Sequence, residues 1–306
     1  MPGAFEVILE IIVLLSAGIV LKMVHILNEK TGKKILSISL NLLLPIIVFR
    51  SFATVSISQE DSLLPLTGLT INLFLLAVAY LASKSLNMVS ASRGAFLLGC
   101  STLNIGIVGL PFIELFFGAK GVAIASLLDI GNSLYVFSIA FLVASRFNPS
   151  KKAKPFKSNV KGFLTQPYLI SIIMGLIANP LGIELPETVE VFVEVISLIN
   201  IVVMLIAVGT FVRLPKKSLM YEIVLSAIVK IPIGGLIGLA FANLLSLTPQ
   251  AAKVVMIVAS LPPAFMTLIH ANTENLDIEL ATILLGSMLA MGIPIITLCG
   301  LLFSSG

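Results

Sequence analysis

Ten apolar runs, each close to the ~20 residues a helix needs to cross ~30 Å of hydrocarbon, occupy nearly all of this 306-residue chain. They lie at 4–24, 35–55, 63–83, 94–116, 121–144, 163–181, 189–212, 220–246, 251–271 and 279–302, and leave no space for a soluble domain. With 58% hydrophobic and 11% charged residues, and a mean hydropathy of +1.12, the composition excludes an ordinary soluble globule. The runs do not alternate apolar with polar residues, so they predict membrane helices and not barrel strands. The first run is too long for a signal-peptide core and carries Glu6 and Glu10, so it is expected to remain in the mature protein. Cys100 and Cys299 fall inside runs and read as small packing residues.

Lys and Arg sort by connection. Those after spans 1, 3, 5 and 7 hold Lys30, Lys33 and Lys34; Lys84 and Arg93; Arg146 to Lys161; and Arg213, Lys216 and Lys217. The alternate connections hold only Lys120 and Lys253. The positive-inside rule makes the first set cytoplasmic, which predicts a multi-pass cell-membrane protein with both termini outside. The basic stretch RFNPSKKAKPFKSNVK divides the chain into residues 1–145 and 163–306, with 146–162 as a cytoplasmic linker. Each half holds five spans. Because five is odd, the second half is inverted relative to the first, the plan of inverted-repeat transporters. ISLNLLLPIIVF and ISLINIVVMLIAVGTF set Asn41 of one half against Asn200 of the other.

The two halves also share an interruption. Span 4 (94–116) is broken around Asn104, Gly109 and Pro111, and span 9 (251–271) at Pro262 and Pro263. Interior Gly costs roughly 1 kcal/mol against Ala, and Pro about 3, so something must compensate. Proline removes a donor and frees carbonyls a turn earlier, and glycine admits a close neighbour. At membrane depth such backbone persists only where protein or a wet cavity receives it. Two broken helices that cross would meet that condition. Their half-helix N-termini would then converge on one point and hold an anion without a buried arginine.

The residues around these breaks resemble the auxin efflux carrier family, which includes plant PIN-type carriers and microbial carboxylate transporters. Asn104-Ile-Gly-Ile-Val-Gly-Leu-Pro111 resembles the N-x-x-x-x-G-[IL]-P pattern of that family's fourth helix, and Ser260-Leu-Pro-Pro-Ala264 resembles its ninth. The likeness runs from about residue 4 to 302, without the long cytoplasmic loop of many plant members, and Val203-Met204 stand where many relatives have a proline. A more distant likeness is to the bile acid:sodium symporters. The resemblance implies ten helices, with a scaffold from spans 1, 2, 6 and 7 and a mobile unit from spans 3–5 and 8–10. It further implies elevator-type alternating access, a homodimer through the scaffold, and a substrate-contacting amide near Asn132.

Ionisable residues at membrane depth are functional candidates. Asp129 and Asn132 lie three apart on one helix face. Asn104 and Asn132 are expected to hydrogen-bond a carboxylate. Asp129, Lys230, Glu114 and His270 are candidates for ion coupling, and the competing readings are an ion pair for Lys230 and a helix end-cap for His270. The expected function is secondary transport of a small organic anion across the lipid bilayer, with no metal or cofactor beyond a coupling proton or sodium ion. A channel or ligand sensor on the same helices is the alternative. An ATP-driven pump would need a G-x-x-x-x-G-K-[ST] loop, which the chain lacks. An intramembrane enzyme would need a convergent nucleophile–base pair or a metal cluster, and the chain has two histidines, His25 and His270, and no H-E-x-x-H. Nothing points to nucleic acid.

Overall fold

The computed structural model describes residues 4–55, 60–150, 164–182, 185–213 and 216–304. The linker expected at 146–162 lies mostly outside the described residues. All regular elements described are helical, as hydrocarbon demands of a backbone that must satisfy its own hydrogen bonds. In chain order they are α1 (Ala4–Met23), α2 (Glu29–Thr54), α3 (Asp61–Ser83), α4 (Ser90–Ser101), α5 (Ile105–Phe147), α6 (Pro167–Ala178), α7 (Glu187–Gly209), α8 (Lys217–Leu244), α9 (Pro249–Ala259), α10 (Met266–Thr273) and α11 (Ile278–Phe303). Six of these, α2, α3, α5, α7, α8 and α11, are long and apolar enough to cross a membrane. The protein is an integral, multi-pass, all-helical membrane protein.

Local chemistry marks the ends. Asn28 Oδ1 accepts the Thr31 N–H at 2.9 Å to open α2, and Thr248 caps α9 with Pro249 in the first turn. At 43 residues, α5 would run ~65 Å if straight, about twice the hydrocarbon thickness. It is interrupted at Gly118, with φ 59° and ψ −158°, a conformation open only to glycine. That break separates the runs marked as spans 4 and 5. Among the described residues four turns are widened to i→i+5 hydrogen bonding, at Ser39–Leu43, Ile105–Gly109, Val136–Ala140 and Val229–Ile233. Prolines 45, 111 and 232 stand in or just after three of them, where the missing N–H disrupts the regular ladder.

Packing follows small residues. α3 lies along α5, α2 against α6, α8 against α9, and α1 against α7. At the α1–α7 crossing a Cβ on Gly18 would stand 2.1 Å from the Ile206 carbonyl oxygen, and one on Gly209 would stand 2.4 Å from that of Leu15. Such close backbone approach is how membrane helices gain dispersion energy where lipid supplies no hydrophobic drive. Asn200, expected to mirror Asn41, is buried in α7 and accepts a hydrogen bond from Ser39 of α2. Arg50 of α2 pairs with Glu190 at 2.6 Å and stands 3.7 Å from Glu194, both on α7.

Candidate functional site

The two interruptions meet. Thr102–Asn104, between α4 and α5, crosses the segment between α9 and α10, and both are buried. Most of the backbone groups set free there acquire a partner, as low-dielectric surroundings require. The Asn104 N–H donates to the Pro262 carbonyl at 3.0 Å, and its side-chain amide donates to the Pro263 carbonyl at 3.1 Å. The Ala264 N–H donates to the Thr102 hydroxyl at 3.1 Å, which also shares a 2.8 Å hydrogen bond with Thr267. Lys230 Nζ donates to the Thr102 carbonyl at 2.6 Å. Asn132 brackets the next residue: its Oδ1 accepts the Leu103 N–H at 3.3 Å, and its Nδ2 donates to the Leu103 carbonyl at 3.1 Å. Asn104 then closes the first turn of α5 through its carbonyl, which accepts from the N–H groups of Val108 and Gly109.

A cavity of about 290 Å³ opens beside this crossing. Asn104, Asp129 and Asn132 line it, as do Asn41, Gln166, Tyr168 and the first residues of α5 and α10. The N–H groups of Ile105, Gly106 and Ile107 open α5 without intrahelical acceptors, and those of Phe265 and Met266, the N-cap and first residue of α10, stand likewise. Each helix start contributes roughly half a positive charge. Asp129 is 7% exposed; its Oδ1 accepts from Asn132 Nδ2 at 2.8 Å. The Tyr168 hydroxyl, which donates to the Ser126 carbonyl at 3.1 Å, lies beside that carboxylate. Among the described residues the cavity wall holds no Lys, Arg or His.

The remaining sequence candidates lie away from this wall. Gly109, Pro111, Pro262 and Pro263 build the crossing without lining the cavity; a Cβ on Gly109 would stand 2.7 Å from Leu261 Cδ1, so this glycine lets the two breaks close on each other. Lys230 is fully buried and forms no ion pair among the described residues; the ion-pair reading gives way to a bond with a freed carbonyl. His270 Nε2 donates to the Val136 carbonyl at 3.0 Å, at the start of the widened turn Val136–Ala140. Glu114 accepts from Ser197 Oγ of α7. Sequence reasoning passed over Thr102, Tyr168 and Gln166. Thr102 carried a signal, a hydroxyl directly before the broken LNIG; Tyr168 and Gln166 lie in another half of the chain and gave none.

Lys230→Met should lower transport about tenfold while changing stability by no more than ~2 kcal/mol. The thioether avoids the cost of a buried amine but leaves the Thr102 carbonyl without that donor, and these effects oppose each other. Uptake and melting in detergent, measured together, check this. Undiminished uptake would remove Lys230 from any part in holding the break.

Broken helices that cross at membrane depth beside a cavity with a few polar groups in an apolar wall are the arrangement expected of a transporter's binding site. Comparison with known proteins agrees. Residues 4–299 match the family described as "Membrane transport protein", and the chain belongs to that family, the auxin efflux carriers. An uncharacterized transporter of Methanocaldococcus jannaschii is 25% identical over 285 residues, covering 90% of this chain and 91% of that protein. Another, from Methanothermobacter thermautotrophicus, is 22% identical over 285 residues, covering 92% of each. The protein is a membrane transporter and not an enzyme.

Proposed function

We propose that this chain is a secondary transporter of a small organic anion, whose carboxylate lies at the crossing between α4–α5 and α9–α10. The observation that carries the reading is the convergence of two helix starts and the Asn104 amide on one cavity. Asn104 keeps one N–H beyond its bond to Pro263, whereas Asn132, expected to bond the carboxylate, lines the cavity but spends both amide hydrogens on Leu103 and Asp129. Summed, the two helix starts oppose about one negative charge, enough for a monocarboxylate. Ten crossings in two inverted five-span repeats, with α1, α2, α6 and α7 as scaffold and the rest as the moving unit, complete the proposal. Elevator-type displacement of that unit then carries the crossing, with its cargo, past the scaffold, and the scaffold pairs two copies into a dimer.

Access supports a direction. A second void of about 660 Å³ shares Leu40, Asn41, Ile107, Phe265 and Ile269 with the cavity and extends to Lys33 and Arg213. Those residues belong to the basic connections, so on the charge-derived orientation the site opens inward. The bond of Glu114 to Ser197, with the Arg50 pairs to Glu190 and Glu194, joins α7 to α5 and α2 away from that mouth. Purified protein in liposomes should show saturable carboxylate uptake with counterflow, and imposed proton and sodium gradients identify the coupling. Unsaturable conductance would replace the carrier with a channel, and ligand binding without flux would replace it with a sensor.

A further inference from the structure

The cavity that would take an anion has a carboxylate in its own wall and no basic side chain among the described residues. Asp129 Oδ1 is occupied by Asn132 Nδ2. Its Oδ2 faces the start of α5, 3.8 Å from where a Cβ on Gly106 would sit, and none of the described cations pairs with it. The groups around it are the Asn132 amide, the Tyr168 hydroxyl and the backbone of Gly106. The single Tyr168 proton is shared between the Ser126 carbonyl, at 3.1 Å, and the neighbouring Asp129 carboxylate, so Asp129 keeps acceptor capacity toward the cavity. A cargo that was only an anion would bring like charge against Asp129, and in this wall nothing ionic offsets it.

We infer that Asp129 selects organic acids that carry an ammonium or hydroxyl donor close to the carboxylate, the donor meeting Asp129 Oδ2 while the carboxylate meets the helix starts. This rests on the carboxylate reading of the cavity and narrows it to 2-amino and 2-hydroxy acids. A buried acceptor left without a donor costs more than a formed hydrogen bond gains, so such a wall discriminates against the analogue that lacks the donor. Charge-assisted hydrogen bonds correspond to about a tenfold to hundredfold preference.

The test uses phenylalanine, 3-phenyllactate and 3-phenylpropionate, three acids of matched size bearing NH3+, OH and H, together with the smaller trio alanine, lactate and propionate. Binding to the purified full chain and inhibition of uptake are measured for wild type and for Asp129→Asn, with melting in detergent to verify that the variant folds. The expected result is that the amino and hydroxy acids bind at least about tenfold more tightly than their deoxy partners, and that Asp129→Asn narrows that gap. Deoxy acids binding as well as the others would overturn the inference. So would a gap that survives the substitution, or a variant altered only in its proton or sodium dependence, which would make Asp129 a coupling group. If no acid of any of the three kinds binds wild type, the carboxylate reading itself fails, and this inference falls with it.

Discussion

Asn104→Ala should lower transport about a hundredfold in a protein that still folds. The side chain both lines the cavity and donates to the Pro263 carbonyl at 3.1 Å. Its removal therefore strips one donor from the proposed carboxylate site and loosens the tie that holds the α9–α10 break in place. The backbone bond from the Asn104 N–H to the Pro262 carbonyl survives, as do the contacts of Thr102 and Lys230, so the crossing is weakened and not lost. Leaving the Pro263 carbonyl unpartnered costs about 1–3 kcal/mol. Liposome uptake and melting in detergent, taken together, check the prediction. Uptake at the wild-type rate would place the Asn104 side chain outside the site, and a complete loss of folded protein would make it a structural clamp alone.

Gly131→Val should abolish folded protein altogether. A Cβ on Gly131 would stand 1.8 Å from the Pro65 carbonyl oxygen and 2.6 Å from the Leu69 nitrogen. Its counterpart on α3, Gly68, would place a Cβ 2.0 Å from the Leu128 carbonyl oxygen. Both obstructing groups are backbone, which cannot rotate aside as a side chain would. Accommodation requires α3 and α5 to separate, and their contact is the most extensive between helices among the described residues. Overpacking of this kind costs beyond the usual ~1–3 kcal/mol of a core insertion because neither partner can relax. Gly131 also stands between Asp129 and Asn132, so any survivor would carry a displaced cavity wall. Gly106→Ala is the matched control: its Cβ would find ordinary contacts at 3.5 Å to Leu40 and 3.8 Å to Asp129, and it should fold. Size-exclusion profiles of the variants in detergent read the outcome. A monodisperse, normally melting Gly131→Val would refute the close-contact account.

The legible part of the site was the part written as a local exception. Asn104, Gly109 and Pro111, and Pro262 with Pro263, interrupt runs that are otherwise uniformly apolar, and the structure brings these two interruptions into contact. Asp129 and Asn132 stood out for the same reason, as polar groups spaced to share a face, and both reach the cavity. Glu114, His270 and Lys230 stood out equally, yet each is bonded elsewhere. A polar residue in an apolar run signals only that it needs a partner; whether the partner is cargo, a neighbouring hydroxyl or a freed carbonyl depends on what folds against it.

By itself the sequence determined the solvent and the element type. Runs of this length and apolarity must be helices in a bilayer, because hydrocarbon offers the backbone no other partner. It also determined where those helices would break, since glycine and proline act on their own residue and the turn before it. The crossing of the two breaks was expected, but the tertiary structure alone decided which groups close it across more than 150 residues, such as Asn104 with Pro262 and Pro263. It also placed Tyr168 and Gln166 on the wall with them, and gave Lys230 to the Thr102 carbonyl. These pairings are set by which helices pack together, and that depends on small residues meeting distant backbone, as Gly68 meets Leu128 and Gly131 meets Pro65. No local pattern encodes such a meeting, because each partner is an ordinary residue until the other arrives.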